Sequence, residues 1–282
     1  MSEKVGAVIA VDKPLQWTSF QVVNKLKWHL KRTFGLKKFK IGHAGTLDPL
    51  ASGLLLVCVG SATKQIEHLQ AGIKEYSGTM VLGATTPCYD LEQAIDAYYP
   101  VDQIDERRIE AVRQQFLGTI EQVPPMFSAV KVDGQRAYLS ARDGTAADIA
   151  PRPVTIDTFD ITAFRGGTGL FGQPVPVAKP EGNDSPATSK QRRSPGLYRD
   201  PQGSIPEALP QVDFHIVCSK GTYIRSIARD FGEALDSGAF LGALRRERIG
   251  DYTLADAIAI DAIESTITAD NPRYRDLALL KA

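Results

Sequence analysis

The chain has 282 residues, enough for one large domain or one domain with an appendage, and its 43% hydrophobic content suits an ordinary core. No run approaches the ~20 apolar residues of a membrane span, and the N-terminus lacks a signal peptide's apolar region, so a cytoplasmic protein is expected. Basic and acidic residues balance at 33 each, which excludes a chain that attracts polyanions as a whole and leaves any RNA binding to a local basic face.

In chain order, residues 5–11 read as a strand, with a turn at Asp12-Lys13-Pro14. Thr18 with Gln21 fits a capping box, and Val22, Val23, Leu26 and Leu30 then recur at helical spacing. That helix carries Lys25, Lys27, Lys31 and Arg32 and runs on to Lys37-Lys38-Phe39-Lys40. A basic segment with aromatics suits an RNA backbone, although an ordinary solvated face has the same composition.

Residues 42–53, Gly-His-Ala-Gly-Thr-Leu-Asp-Pro-Leu-Ala-Ser-Gly, hold three glycines and a proline and read as a loop before the apolar strand 54–59. Pro49 biases Asp48 towards an extended backbone. His43 and Asp48 are both able to do acid–base or nucleophilic work. On spacing alone, the more ordinary role for Asp48 is a cap on backbone N–H groups in a tight turn.

Ser61 is placed to cap a helix reaching about Leu69, with Lys64 on its first turns, and residues 75–83 read as a strand opening near Tyr76. Taken singly, Lys64 is a surface lysine and Tyr76 a packing residue. Residues 85–99 look irregular, with Asp90, Glu92 and Asp96 solvated. Asp105 starts a helix with Ile109, Val112 and Phe116 inward, stopped at Gly118. Strands follow at 119–123 and 128–132, then a hairpin turn at Asp133-Gly134, a short helix at 136–142 and a strand at 152–164.

Residues 166–210 hold seven glycines and eight prolines and read as a flexible insertion. Replacing them with a short Gly/Ser linker is expected to leave the melting temperature nearly unchanged, because loop closure depends only weakly on length. A fall of many degrees would show a packed segment. Residues 212–218 alternate as a half-buried strand. A helix after Gly221-Thr222 then presents Ile224, Ile227, Ala228, Phe231 and Leu235 inward, with Arg225 at the margin of that stripe and a stop at Gly238. Without further information, Arg225 reads as a paired surface arginine. A last strand over 239–249 ends in Arg245, Arg246 and Arg248. Cys58, Cys88 and Cys218 are scattered and read as reduced core thiols.

These stretches together resemble the TruB family of bacterial tRNA pseudouridine-55 synthases. The resemblance rests on residues 8–14 with Trp17-Thr18-Ser19, the loop at 42–53, Gly60-Ser61-Ala62-Thr63-Lys64, Tyr76, residues 124–131, Cys218 to Arg225, and Leu244-Arg245-Arg246. It covers roughly residues 5–165 and 211–250. It implies an α/β (α+β) catalytic domain over residues 1–250, with a mixed, mainly antiparallel sheet flanked by helices and a cleft across the sheet. It implies Asp48 as the catalytic residue and Arg225 as its guanidinium partner. Tyr76 would stack on the target base, His43 fill the gap left by base flipping, Leu244 close the apolar side, and Lys64 support the site. The substrate would be the T-arm of tRNA, the protein a monomer, and the isomerisation would need no cofactor. The family commonly continues into a PUA-type RNA-binding domain, for which residues 251–282 are too few.

Two other classes fit part of the pattern. A metal-dependent hydrolase on His43 and Asp48 lacks support, since His29, His43, His68 and His215 show no metal-ligand spacing. A non-catalytic RNA-binding module shares the basic face, but has no need of the Asp48, Tyr76 and Arg225 set.

Overall fold

The computed structural model describes residues 5–128, 131–132, 135–136, 149–166 and 209–281. The strands are β1 (Gly6–Lys13), β2 (Ile41–Ala44), β3 (Ala51–Gly60), β4 (Lys74–Leu82), β5 (Ala84–Thr85), β6 (Ala97–Tyr98), β7 (Gly118–Gln122), β8 (Lys131–Val132), β9 (Gln135–Arg136), β10 (Arg152–Arg165), β11 (Gln211–Cys218), β12 (Ala239–Ile249), β13 (Tyr252–Thr253) and β14 (Ile258–Ala259). The main helices are α1 (Ser19–Phe34), α2 (Ile66–Ala71), α3 (Glu106–Gln114) and α4 (Ile224–Ala234). Strands in the order β14-β1-β3-β12-β4-β11-β10-β7 form one sheet, with β2 and β13 pairing at its side. Only the β1–β14 and β3–β12 pairings are parallel, so the sheet is mixed and mostly antiparallel, as expected.

Two apolar clusters flank this sheet. The apolar stripe of α1 (Val22, Leu26, Leu30) packs on Ile9, Val11, Leu55 and Val57. α3 and α4 pack Ile109, Ile227 and Phe231 on Met80, Phe159 and Phe214 from the central strands. The capping box at α1 is present: Gln21 N–H donates to Thr18 Oγ1 at 3.0 Å, and Thr18 N–H to Gln21 Oε1 at 2.7 Å. Asp105 caps α3 and accepts from the Arg108 N–H at 2.7 Å. The three cysteines are buried free thiols.

Local details differ from expectation. Asp12 and Lys13 extend β1 instead of turning, because both pair in register with β3 (Asp12 with Leu54, Lys13 with Gly53). The Gly-rich stretch is shorter as a loop, since Ile41–Ala44 pairs with Leu56 to Val59 and Ala51 already belongs to β3. Ser61 opens a 3-10 turn, and the α-helix begins only at Ile66. Helix α4 ends before Gly238, with Asp236 taking a positive φ of 52°. The Asp133-Gly134 turn, the helix at 136–142 and nearly all of the 166–210 insertion lie outside the described residues, although β8 and β9 do pair across that turn.

The C-terminal segment is built into the core. β14 pairs with β1, and Ile258, Ile263, Ile267, Tyr274 and Leu277 are buried in the α1 cluster. His29 Nε2 lies 2.7 Å from the Ile267 carbonyl, tying helix to tail. Ile267→Ala is therefore expected to cost about 2–5 kcal/mol by leaving a cavity, read as a lowered denaturant midpoint. An unchanged midpoint would show that the tail adds little to stability.

Candidate active site

One edge of β3 is shared by two strands. β2 pairs with its second half, and β12 with its first three residues (Leu244 with Ala51, Arg245 with Ser52, Arg246 with Gly53). The turn 45–50 leaves the sheet between them and carries Asp48. Because β12 also pairs with β4 (Leu244 with Gly78, Arg246 with Tyr76), it brings the Asp48 loop, Leu244 and Tyr76 to one place.

The loop backbone is gripped on both sides of Asp48. Ser19 Oγ donates to the Leu47 carbonyl at 3.1 Å and accepts from the Leu47 N–H at 2.9 Å. Gln16 N–H donates to the Pro49 carbonyl at 2.8 Å. The buried Lys13 Nζ donates to the carbonyls of Trp17 at 2.6 Å, Pro14 at 3.0 Å and Pro49 at 3.3 Å. Burial lowers the Lys13 amine to about 8, against the opposing pull of Asp48. Arg246, also buried, donates to the carbonyls of Leu54 at 2.8 Å and Gly45 at 3.0 Å. Gly53 is required here: its φ is 102°, and a Cβ would lie 2.3 Å from the Arg246 carbonyl oxygen.

The Asp48 carboxylate is left to Arg225, whose Nε lies 3.0 Å from Asp48 Oδ2. Asp48 keeps 38% of its side chain exposed, against 7% for Arg225, so the carboxylate can meet a substrate while its partner is fixed. Arg225 is held further by the carbonyls of Cys88 at 3.1 Å and Phe127 at 2.9 Å, and by Asp90 at 3.6 Å. Burial works against the Arg225 charge, but Asp48 and Asp90 outweigh it and raise the pKa. Asp90 goes the other way: burial raises its carboxyl, with Arg225 opposing. Asp48, Asp90, Leu91, Arg225, Leu241 and Leu244 line one cavity.

Tyr76 is buried in the cluster that holds Leu47 and Ala51, and Leu244 packs on the same cluster. Burial raises the Tyr76 phenol, with Arg246 opposing. His43 lies on β2 with its buried Nδ1 without a partner among the described residues, and burial, then Arg246, lowers its pKa, which favours the neutral ring. Lys64 stands apart from the others. It is exposed on the turn after Gly60, at the end of β3 opposite Asp48.

Four residues at this site were not read as such from the sequence. Asp90 was expected to be solvated but is buried against Arg225. Lys13 and Arg246 are buried cations satisfied by carbonyls. Tyr223 precedes α4, its N–H held by Gln122 Oε1 at 2.8 Å; burial raises its phenol, and Asp48 and Arg225 act on it too. The only advance signal was the crowding of Lys13, Tyr223 and Arg246 into the stretches that carry the resemblance. The basic cluster at 245–248 is paired within the chain: Arg245 with Asp12 at 2.8 Å and Arg248 with Glu75 at 2.7 Å, both half-buried.

Comparison with known proteins fits this arrangement. A family model described as TruB family pseudouridylate synthase (N terminal domain) matches residues 31–172. The tRNA pseudouridine synthase B of Flavobacterium johnsoniae is 47% identical over 263 residues, covering 93% of this chain and 96% of its own length. That of Thermobifida fusca is 39% identical, covering 93% of this chain and 75% of its own. A chain of the solved Cbf5-Nop10-Gar1 complex superposes with a TM-score of 0.56 at 25% identity. The match covers 92% of this chain but only 54% of that one. With its mixed sheet and Asp48 loop, this chain belongs to the TruB family of pseudouridylate synthases.

Proposed function

We propose that the protein isomerises uridine 55 in the T-loop of tRNA to pseudouridine. The observation that carries this reading is the exposed Asp48 carboxylate fixed by the buried Arg225 at 3.0 Å, in a cavity shared with Leu244. The reaction breaks the N1–C1′ bond, turns the uracil and joins C5 to C1′; the proton lost from C5 is balanced by the one gained at N1. No electrons are exchanged, so no cofactor is required. Asp48 either attacks C1′ or removes the C2′ proton, and Arg225, 3.0 Å away, aims its carboxylate in both routes.

A uridine inside the T-loop must be flipped out to reach Asp48. Tyr76 stacks on the flipped base, Leu244 closes its apolar side, and the neutral His43 ring occupies the vacated gap. Stacking is worth about 1–3 kcal/mol per base and offsets much of the unstacking cost. Lys64, at the far end of β3, meets a phosphate of the T-arm from outside the cavity. The protein acts as a cytoplasmic monomer. The test is incubation with unmodified tRNA transcript and mapping of pseudouridine. A single modified position at 55 is expected; modification elsewhere or none would overturn the reading.

A further inference from the structure

Between Asp12 and Asp48 the chain carries eight Lys or Arg and no acidic residue. One of the eight, Lys13, is buried on carbonyls. The other seven lie on α1 and the connector after it: Lys25, Lys27, Lys31, Arg32, Lys37, Lys38 and Lys40. Among the described residues none of these seven is in an ion pair, whereas Arg245 and Arg248 on β12 are neutralised by Asp12 and Glu75. The chain's overall charge balance therefore hides one local, unneutralised face.

The same face carries two large aromatics open to solvent, Phe20 at 66% and Trp28 at 55% exposure. At about 100° per residue, Lys27, Phe20, Lys31, Asn24, Trp28 and Arg32 fall within one outward sector of α1. The Arg32 guanidinium sits 5.3 Å from the Trp28 ring centroid, steadying the indole from one side. The stripe also starts at the catalytic loop, because Ser19, next to Phe20, is the residue that clamps Leu47 beside Asp48. From Phe20 to Arg32 it runs for about 18 Å along the helix.

We propose that this outward face of α1 is a second RNA-contact surface, which takes a strand of the substrate as it leaves the Asp48 loop. Lys27 and Lys31 meet its phosphates, and Trp28 stacks on an unpaired base. The proposal rests on the functional reading above for the identity of the RNA. Charge alone would suit duplex RNA or an acidic protein; the open rings between the cations select a strand with unpaired bases.

The protein has two tryptophans, so Trp17→Phe leaves Trp28 as its only indole. Adding unmodified tRNA transcript to this full-length variant is expected to quench its fluorescence saturably, and added salt to reverse the quench. In the otherwise unaltered protein, Trp28→Ala is expected to weaken tRNA binding about fivefold or more. Lys27→Glu with Lys31→Glu is expected to lower the slope of log affinity against log salt by about one to two. Both readouts report binding, so they decide this proposal whether or not pseudouridine forms. An unquenched Trp28 with affinity and salt slope unchanged in the variants would overturn it. A Trp28 signal that changes with protein concentration in the absence of RNA would overturn it too, assigning the face to a second copy of the chain.

Discussion

Asp48→Asn is expected to bind unmodified tRNA about as tightly as the parent protein while forming no detectable pseudouridine. The amide keeps the size of the carboxylate and can still accept a hydrogen bond from Arg225, which stands 3.0 Å away. The loop around it is held by contacts that do not involve the side chain, through Leu47 and Pro49 on either side. What the substitution removes is the negative charge, and with it both attack on C1′ and removal of the C2′ proton. Arg225 loses its nearer carboxylate but keeps Asp90 at 3.6 Å and the carbonyls of Cys88 and Phe127, so the melting temperature should fall much less than in Arg225→Ala. Single-turnover assays with protein in excess separate the chemical step from product release. A rate near that of the parent protein would remove Asp48 from the mechanism.

Arg225→Ala is expected to lose both activity and stability. Asp90 would keep a carboxylate only 7% exposed, and the carbonyls of Cys88 and Phe127 would lose their donor. Removing one partner of a buried ion pair costs about 3–5 kcal/mol. Activity falls because Asp48 loses the group that aims it; a misplacement of about 1 Å can cost on the order of 100-fold. Arg225→Lys separates the two effects. A lysine restores a positive charge beside Asp90 but has no planar fork to reach Asp48 and both carbonyls together. It should recover much of the stability and little of the rate. Equal recovery of both would mean that Arg225 acts only as a counter-charge.

Most of the local structure was readable in advance because its causes are local. The capping box at Thr18 and Gln21, the 3.6-residue stripe of α1 and the alternation along β11 all act within a few residues. Errors came where a distant segment intervened. Asp12 and Lys13 extend a strand because β3 lies alongside, and Asp90 is buried because Arg225 reaches it from α4. A carboxylate in an irregular stretch reads as solvated until the opposing cation is placed.

The site divides in the same way. The chain by itself made Asp48 and His43 candidates, as a carboxylate and an imidazole in a glycine-rich loop ahead of an apolar strand, but favoured a capping role for Asp48; the resemblance turned it into the catalytic residue. The resemblance gave His43 its role and added Tyr76, Arg225, Leu244 and Lys64. Tertiary structure decided which charges are free to act. Lys13, Arg245, Arg246 and Arg248 look in sequence like the cations of α1, yet they are bound by carbonyls, Asp12 and Glu75, while the α1 lysines have no ion pair among the described residues. The reason is physical: a side chain's charge is written in the sequence, but its partner comes from a strand or loop brought alongside only when the sheet closes.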